Sequence, residues 1–137
     1  MIYLDTSVML LVLFDQEGAE HAERTLRELR EERMVASSLL AIESARAIRR
    51  EALDMALVDD LLAGVDLVGM SQEVVDRACS LTGELKSLDA IHLATALILH
   101  CESDPVTLLT HDARLAAVAR SHGLRVVDLT EESDAGR

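Results

Sequence analysis

Four carboxylic acids, Asp5, Glu43, Asp89 and Asp112, are the residues of this chain whose placement suggests chemistry. Carboxylates gathered at one rim repel each other, which raises their pKa values and destabilises the fold unless a cation fills the gap. Mg²⁺ answers that need, being hard and oxygen-seeking and commonly held by one or two carboxylates with waters and substrate phosphate. A centre of that kind can orient and activate a water and stabilise the leaving oxygen of a phosphodiester.

Each acid also has a plainer reading. Asp5 directly follows a predicted strand at 1–4, and Asp112 lies three residues past another at 106–109. Ligands of open α/β sheets bind beyond the carboxyl ends of the strands, but aspartate there also serves as a helix N-cap. Glu43 shares a helical stripe with Leu39 and Ala47, which aims a charge where apolar neighbours point. The alternative is an ion pair with Arg46 one turn on. Asp89 stands in the first turn of the most apolar helix, among Leu88, Ala90 and Ile91. There it could simply favour the helix dipole, worth ~0.5 kcal/mol.

The elements that must position these acids follow from periodicity. Short strands are predicted at 1–4, 34–36, 65–68, 106–109 and 124–127. Helices are predicted at 8–14, 16–33, 38–52, 54–64, 71–85, 87–101 and 113–121, with Ser87 capping the sixth. That sixth helix is apolar nearly all round and is expected to be central and buried. His122-Gly123 closes the last helix. The order β-α-α-β-α-α-β-α-α-β-α-β argues for a three-layer α/β/α domain with a short central parallel sheet. Residues 1–129 are expected to form that domain, and 130–137 a flexible polar tail.

At 137 residues the chain is the size of one ordinary domain, and its 50% hydrophobic content argues against disorder. One Tyr, one Phe and no Trp argue against gripping single strands by base stacking. The net charge of −12 argues against binding nucleic acid by bulk electrostatics, so any phosphate contact needs bound cations or local arginines. Arg46, Arg49 and Arg50 cluster on the helix carrying Glu43, and Arg114 follows Asp112 closely. They are the candidate phosphate contacts, with solvated ion pairing as the alternative. Cys79 and Cys101 have no metal-type spacing and read as small buried hydrophobes in a reducing compartment. No run reaches the ~18 apolar residues of a membrane span, and the expectation is a cytoplasmic protein without membrane attachment.

Four segments carry a family resemblance. Tyr3-Leu4-Asp5-Thr6-Ser7, the 37–50 helix with Glu43, Leu88-Asp89-Ala90-Ile91-His92-Leu93-Ala94 and Leu109-Thr110-His111-Asp112-Ala113-Arg114-Leu115 resemble, in order and spacing, those of PIN-domain nucleases. The compact length is similar to that of the VapC toxins of bacterial and archaeal toxin–antitoxin pairs. The resemblance implies a Mg²⁺- or Mn²⁺-dependent endoribonuclease acting on RNA. It makes Asp5, Glu43, Asp89 and Asp112 the acidic cluster, with Asp5 and Asp89 as direct metal ligands and Glu43 and Asp112 acting through water. It assigns Ser7 and Thr110 as supporting polar residues. It also implies a homodimer and a cognate antitoxin whose C-terminal segment crosses the active-site groove, where the 8–14 helix and the Ala19–Leu29 stripe could provide apolar lining. Core packing is the commoner use of such residues.

Two other classes were weighed. An aspartyl phosphotransferase wants a second acid two residues after Asp5, where this chain has Ser7. A non-catalytic α/β regulatory module, whose acids bind metal or a basic peptide, is the rival from another class. Metal-dependent cleavage separates it from a nuclease.

Overall fold

The structure, a computed structural model, describes residues 1–132. Five strands form the sheet: β1 (Ile2–Leu4), β2 (Met34–Ser37), β3 (Val65–Val68), β4 (Thr107–Thr110) and β5 (Arg125–Asp128). All pairings are parallel, in the order β3-β2-β1-β4-β5. The helices are α1 (Thr6–Leu13), α2 (Ala19–Glu28), α3 (Leu39–Arg50), α4 (Ala56–Leu62), α5 (Gln72–Ser80), α6 (Ser87–Leu99), α7 (Ala113–Ser121) and the short α8 (Leu129–Glu132). The α8 turn occupies the start of the expected tail, with Leu129 buried; the rest of that tail, 133–137, lies outside the described residues.

Alternation along the strands builds two cores, one on each sheet face. Ile2 and Leu4 point with Ala36 and Leu109 into a layer formed with α1, α2 and Leu40 of α3. Tyr3, Val35 and Leu108 point the other way, against Leu93 of α6 and Leu115 of α7. Burial of such side chains at ~25 cal/mol per Å² is what holds the layers together.

The connection after β1 leads to β2 on one side, whereas the connection after β4 leads to β5 on the other. The crevice between the carboxyl ends of β1 and β4 is therefore the topological switch point, where open α/β sheets place their ligands. Asp5 and Asp112 flank it.

Several expectations are corrected. Cys79 and Cys101 are exposed. On α5 the inward positions are Val74 and Ala78, which turns Cys79 outward, and Cys101 lies in the turn beyond the end of α6. Helix α5 stops at Ser80 rather than 85, because Gly83, at φ +106°, turns the chain against Val118 of α7. A Cβ there would sit 2.9 Å from a Val118 methyl. Ser87 is not a cap: Lys86 holds the N-cap position without a side-chain bond, and Ser87 is already inside the first turn. Nor is α6 buried all round. His92–Ala96 are buried, but Leu88 is 47% exposed, because the first turn reaches the rim rather than the sheet. Helix α2 is shorter than 16–33, since Gly18, at φ +95°, starts it only at Ala19. Among the described residues no helix is long and apolar enough to cross a membrane.

Candidate active site

Asp5 is the first residue past β1, 3% exposed, and its N–H donates to the Leu109 carbonyl of the neighbouring strand at 3.1 Å. It occupies the N-cap position of α1, yet its side chain makes no capping bond. Its Oδ2 instead accepts from Ser7 Oγ at 2.5 Å and from Thr110 Oγ1 at 2.8 Å. Two charge-assisted hydrogen bonds hold this carboxylate toward the crevice. Ser7 Oγ also accepts the N–H of His111 at 3.0 Å, and Thr110 Oγ1 that of Asp112 at 3.1 Å. The β4–α7 turn is thus built onto the same two hydroxyls that hold Asp5.

Asp112 does cap a helix: its Oδ1 accepts from the N–H groups of Arg114 and Leu115. The two rim aspartates, indistinguishable as caps in the sequence, are therefore separated by the structure.

Glu43, on α3, is one-quarter exposed. Its Oε1 accepts from Thr6 Oγ1 at 2.9 Å and lies 2.8 Å from His92 Nε2. Glu43 thus reaches toward α1 and α6 at the crevice, a contact that the sequence alternative of an Arg46 pair did not anticipate. His92 is 1% exposed, and its Nδ1 lies 2.8 Å from the Tyr3 hydroxyl. In the sequence His92 stands out only as part of the 88–94 segment. Its signal was the i+3 spacing from Asp89 on an apolar helix, which places it one turn deeper than that acid.

Asp89, in the first turn of α6, is partly buried, and among the described residues no hydrogen-bond donor reaches its carboxylate. Burial pushes its pKa upward, and the charges of Asp5, Asp112 and Glu43 push the same way, while His92 opposes them. All four acids therefore act on one region of the crevice. Among the described residues, no three His, Cys, Asp or Glu side chains converge closely enough to cage a metal by themselves. The donor set is all hard oxygen and fits Mg²⁺ or Mn²⁺ held by one or two carboxylates, with water and substrate completing the shell.

A cleft of about 580 Å³ adjoins the site, lined by Ser7, Leu10, Phe14, Gln16, Arg50, Glu51 and His111. Arg50 and Ser7 thus line the same cleft. Arg46, Arg49 and Arg114 are exposed on α3 and α7. Val8, Met9 and Leu11 of α1, with Ala19 and Ala22 of α2, are buried in the core, so those residues serve packing.

This is the fold of a defined class: the chain belongs to the PIN-domain family, whose sequence model matches residues 2–121. Among individual proteins, it is 32% identical over 129 residues to "Ribonuclease VapC35" of Mycobacterium tuberculosis, covering 93% of this chain and 96% of the relative. "Ribonuclease VapC46" of the same species is 34% identical over 128 residues, covering 92% and 95%. Solved structures share the fold at lower identity. VapBC2 from Rickettsia felis, bound to a DNA fragment from its promoter, superposes with a TM-score of 0.71 at 15% identity, over 93% of this chain and 98% of that one. FitAcB from Neisseria gonorrhoeae gives 0.69 at 19% identity, over 95% and 99%.

Proposed function

We propose that this chain is a divalent-metal-dependent endoribonuclease and the toxin of a toxin–antitoxin pair. The observation that carries the reading is the partly buried Asp89 carboxylate, met by no donor among the described residues, whose pKa is pushed upward first by burial and then by the charges of Asp5, Asp112 and Glu43. It occurs in a chain whose relatives along nearly their whole length are named ribonucleases. Asp5 and Asp89 are the residues to hold Mg²⁺ or Mn²⁺, and Glu43 and Asp112 act through water. The bound ion would neutralise the gathered charge and lower the pKa of a coordinated water.

The chain's own groups do the rest. Ser7 and Thr110 hold Asp5 aimed into the crevice through two hydrogen bonds to one carboxylate oxygen. Glu43 orients the attacking water, whose oxygen forms a bond to phosphorus as the opposite phosphorus–oxygen bond breaks; the attacking water gives up a proton to bulk water, and the departing oxygen takes one from it. Arg50, across the cleft from Ser7, is placed to hold a flanking phosphate, with Arg46, Arg49 and Arg114 as outer contacts.

A net charge of −12 suits a basic antitoxin segment laid across the groove. A second copy of the chain is part of the same proposal. The apolar cleft of about 410 Å³ between α5 and α6, with Met70 51% and Leu88 47% exposed, offers surface of the kind a partner copy covers. A cytoplasmic setting accompanies an RNA substrate.

The test is incubation of the purified, antitoxin-free protein with total RNA in Mg²⁺ or Mn²⁺, beside EDTA and an Asp89→Asn variant. Discrete fragments from the wild type alone, lost in EDTA, are expected. A folded protein that gains thermal stability from Mg²⁺ but cuts no RNA would transfer the reading to the regulatory module.

A further inference from the structure

The proposed hydrolysis gives no part to His92, a polar side chain only 1% exposed beside the crevice. Its two ring nitrogens have different neighbours, and the hydrogen-bond inventory fixes which one carries the proton. Nε2 lies 2.8 Å from Glu43 Oε1, a distance at which two lone pairs repel unless a proton sits between them. Thr6 cannot serve both, because its hydroxyl proton already goes to the same Oε1 at 2.9 Å. Nε2 is therefore the protonated nitrogen, and it donates.

The other nitrogen is set by Tyr3. The Tyr3 side chain is fully buried. Its oxygen accepts the backbone N–H of Ser37 at 3.1 Å and lies 2.8 Å from His92 Nδ1. His92 Nδ1 is the acceptor within hydrogen-bond distance of the phenol among the described residues, so the phenol proton goes to it; an N–H on Nδ1 would leave the buried O–H without a partner.

We infer that a proton-ordered relay, Ser37 N–H to Tyr3 to His92 to Glu43, makes His92 the positioning residue for Glu43, with the neutral ring in its Nε2–H form. Thr6 and His92 both converge on Oε1. Glu43 consequently turns Oε2, the oxygen these donors leave unbound, toward the water it is proposed to orient. The relay rests on the nuclease reading for its purpose but not for its geometry. A carboxylate one-quarter exposed on a helix face would otherwise sample several rotamers, so a fixed aim requires a donor of this kind.

The experiment is a long-range proton–nitrogen correlation spectrum of the metal-free protein at mildly alkaline pH, with kinetics on three variants. In the wild type, His92 is expected to show a protonated Nε2 and a lone-pair Nδ1, and Tyr3→Phe is expected to mix the tautomers. His92→Phe is expected to lower kcat by about 10–100-fold with KM within about twofold, the size typical of an orienting partner. His92→Gln, which can return an amide N–H near the Nε2 position, is expected to recover most of that loss. An Nδ1–H or doubly protonated ring in the wild type would overturn the relay. So would a His92→Phe variant that loses only thermal stability and keeps the wild-type kcat per folded molecule. If the wild type cleaves no RNA, the nuclease reading fails while the spectrum still decides the relay.

Discussion

The two sides of the crevice hold their acids in opposite ways. Asp5 and Glu43 each receive two side-chain contacts on one oxygen, from Ser7 and Thr110 in one case and from Thr6 and His92 in the other. Asp89 receives none among the described residues and is pushed upward in pKa by burial and by the other acids. A carboxylate held by two contacts has a fixed aim before any cation binds; one without them can turn toward the cation. The contrast suggests that the site is preorganised on the Asp5 and Glu43 side and completed, on metal binding, at Asp89. It also accounts for the absence of a closed metal cage among the described residues.

The comparison can be broken most sharply at Asp5. Asp5→Asn removes the charge from the preorganised side while leaving an oxygen for Ser7 or Thr110, and RNA cleavage is expected to fall by about 100- to 1,000-fold, as when one electrostatic partner of a reaction is lost. Single-turnover cleavage in Mn²⁺ measures it. A loss smaller than tenfold would place the critical charge elsewhere.

Thr110→Val is next. Its buried hydroxyl donates to Asp5 and accepts from the Asp112 N–H, so the variant strands a buried N–H and removes half of the support for Asp5. A stability loss of about 1–3 kcal/mol in urea unfolding is expected. Ser7→Ala, on a more open hydroxyl, is expected to cost less.

Asp89→Asn tests the other side. Because the folded protein holds the Asp89 proton more tightly than the unfolded chain does, that group's contribution is fully present below the ordinary aspartate range and is lost as pH rises through its elevated value. In EDTA, Asn at this position is therefore expected to raise Tm by a few degrees at neutral pH, with the gain shrinking to nothing as acid protonates the wild-type carboxyl. Mg²⁺ is expected to reverse the order by stabilising the wild type more. A variant less stable than wild type in EDTA at neutral pH would show that Asp89 is held by interactions like those of Asp5.

The sheet and the acids were legible because they depend on local pattern. Short apolar runs fell at each strand, and the acids followed strands or helical stripes. What was not legible depends on contacts between distant segments. Tyr3 and His92 are 89 positions apart, and nothing in either neighbourhood shows that a phenol and an imidazole meet. The predicted helix ran through Gly83 to residue 85, and only the packing of that glycine on Val118 shows that the chain must turn there. The cysteines were misplaced because Ala, Val and Cys around α5 leave the inward face poorly marked.

Helix ends sharpen the comparison at its smallest scale. After α7, Gly123 takes φ +88°, with its N–H donating to the Arg120 carbonyl and that of Leu124 to the Ala119 carbonyl. The same paired bonds close α3, where Ala52 takes φ +54°, its N–H reaching Arg49 and that of Leu53 reaching Ile48. A methyl-bearing residue is strained in that left-handed position, whereas glycine is not. Ala52→Gly is expected to stabilise the fold by about 0.5–1 kcal/mol, offset in part by the greater freedom of glycine in the unfolded chain. Helix α3 carries Glu43 two turns earlier, and the relay through His92, not the helix end, is what aims that carboxylate. Urea unfolding should therefore shift while kcat stays at the wild-type value; a changed kcat would mean that Glu43 takes its aim from the end of its own helix.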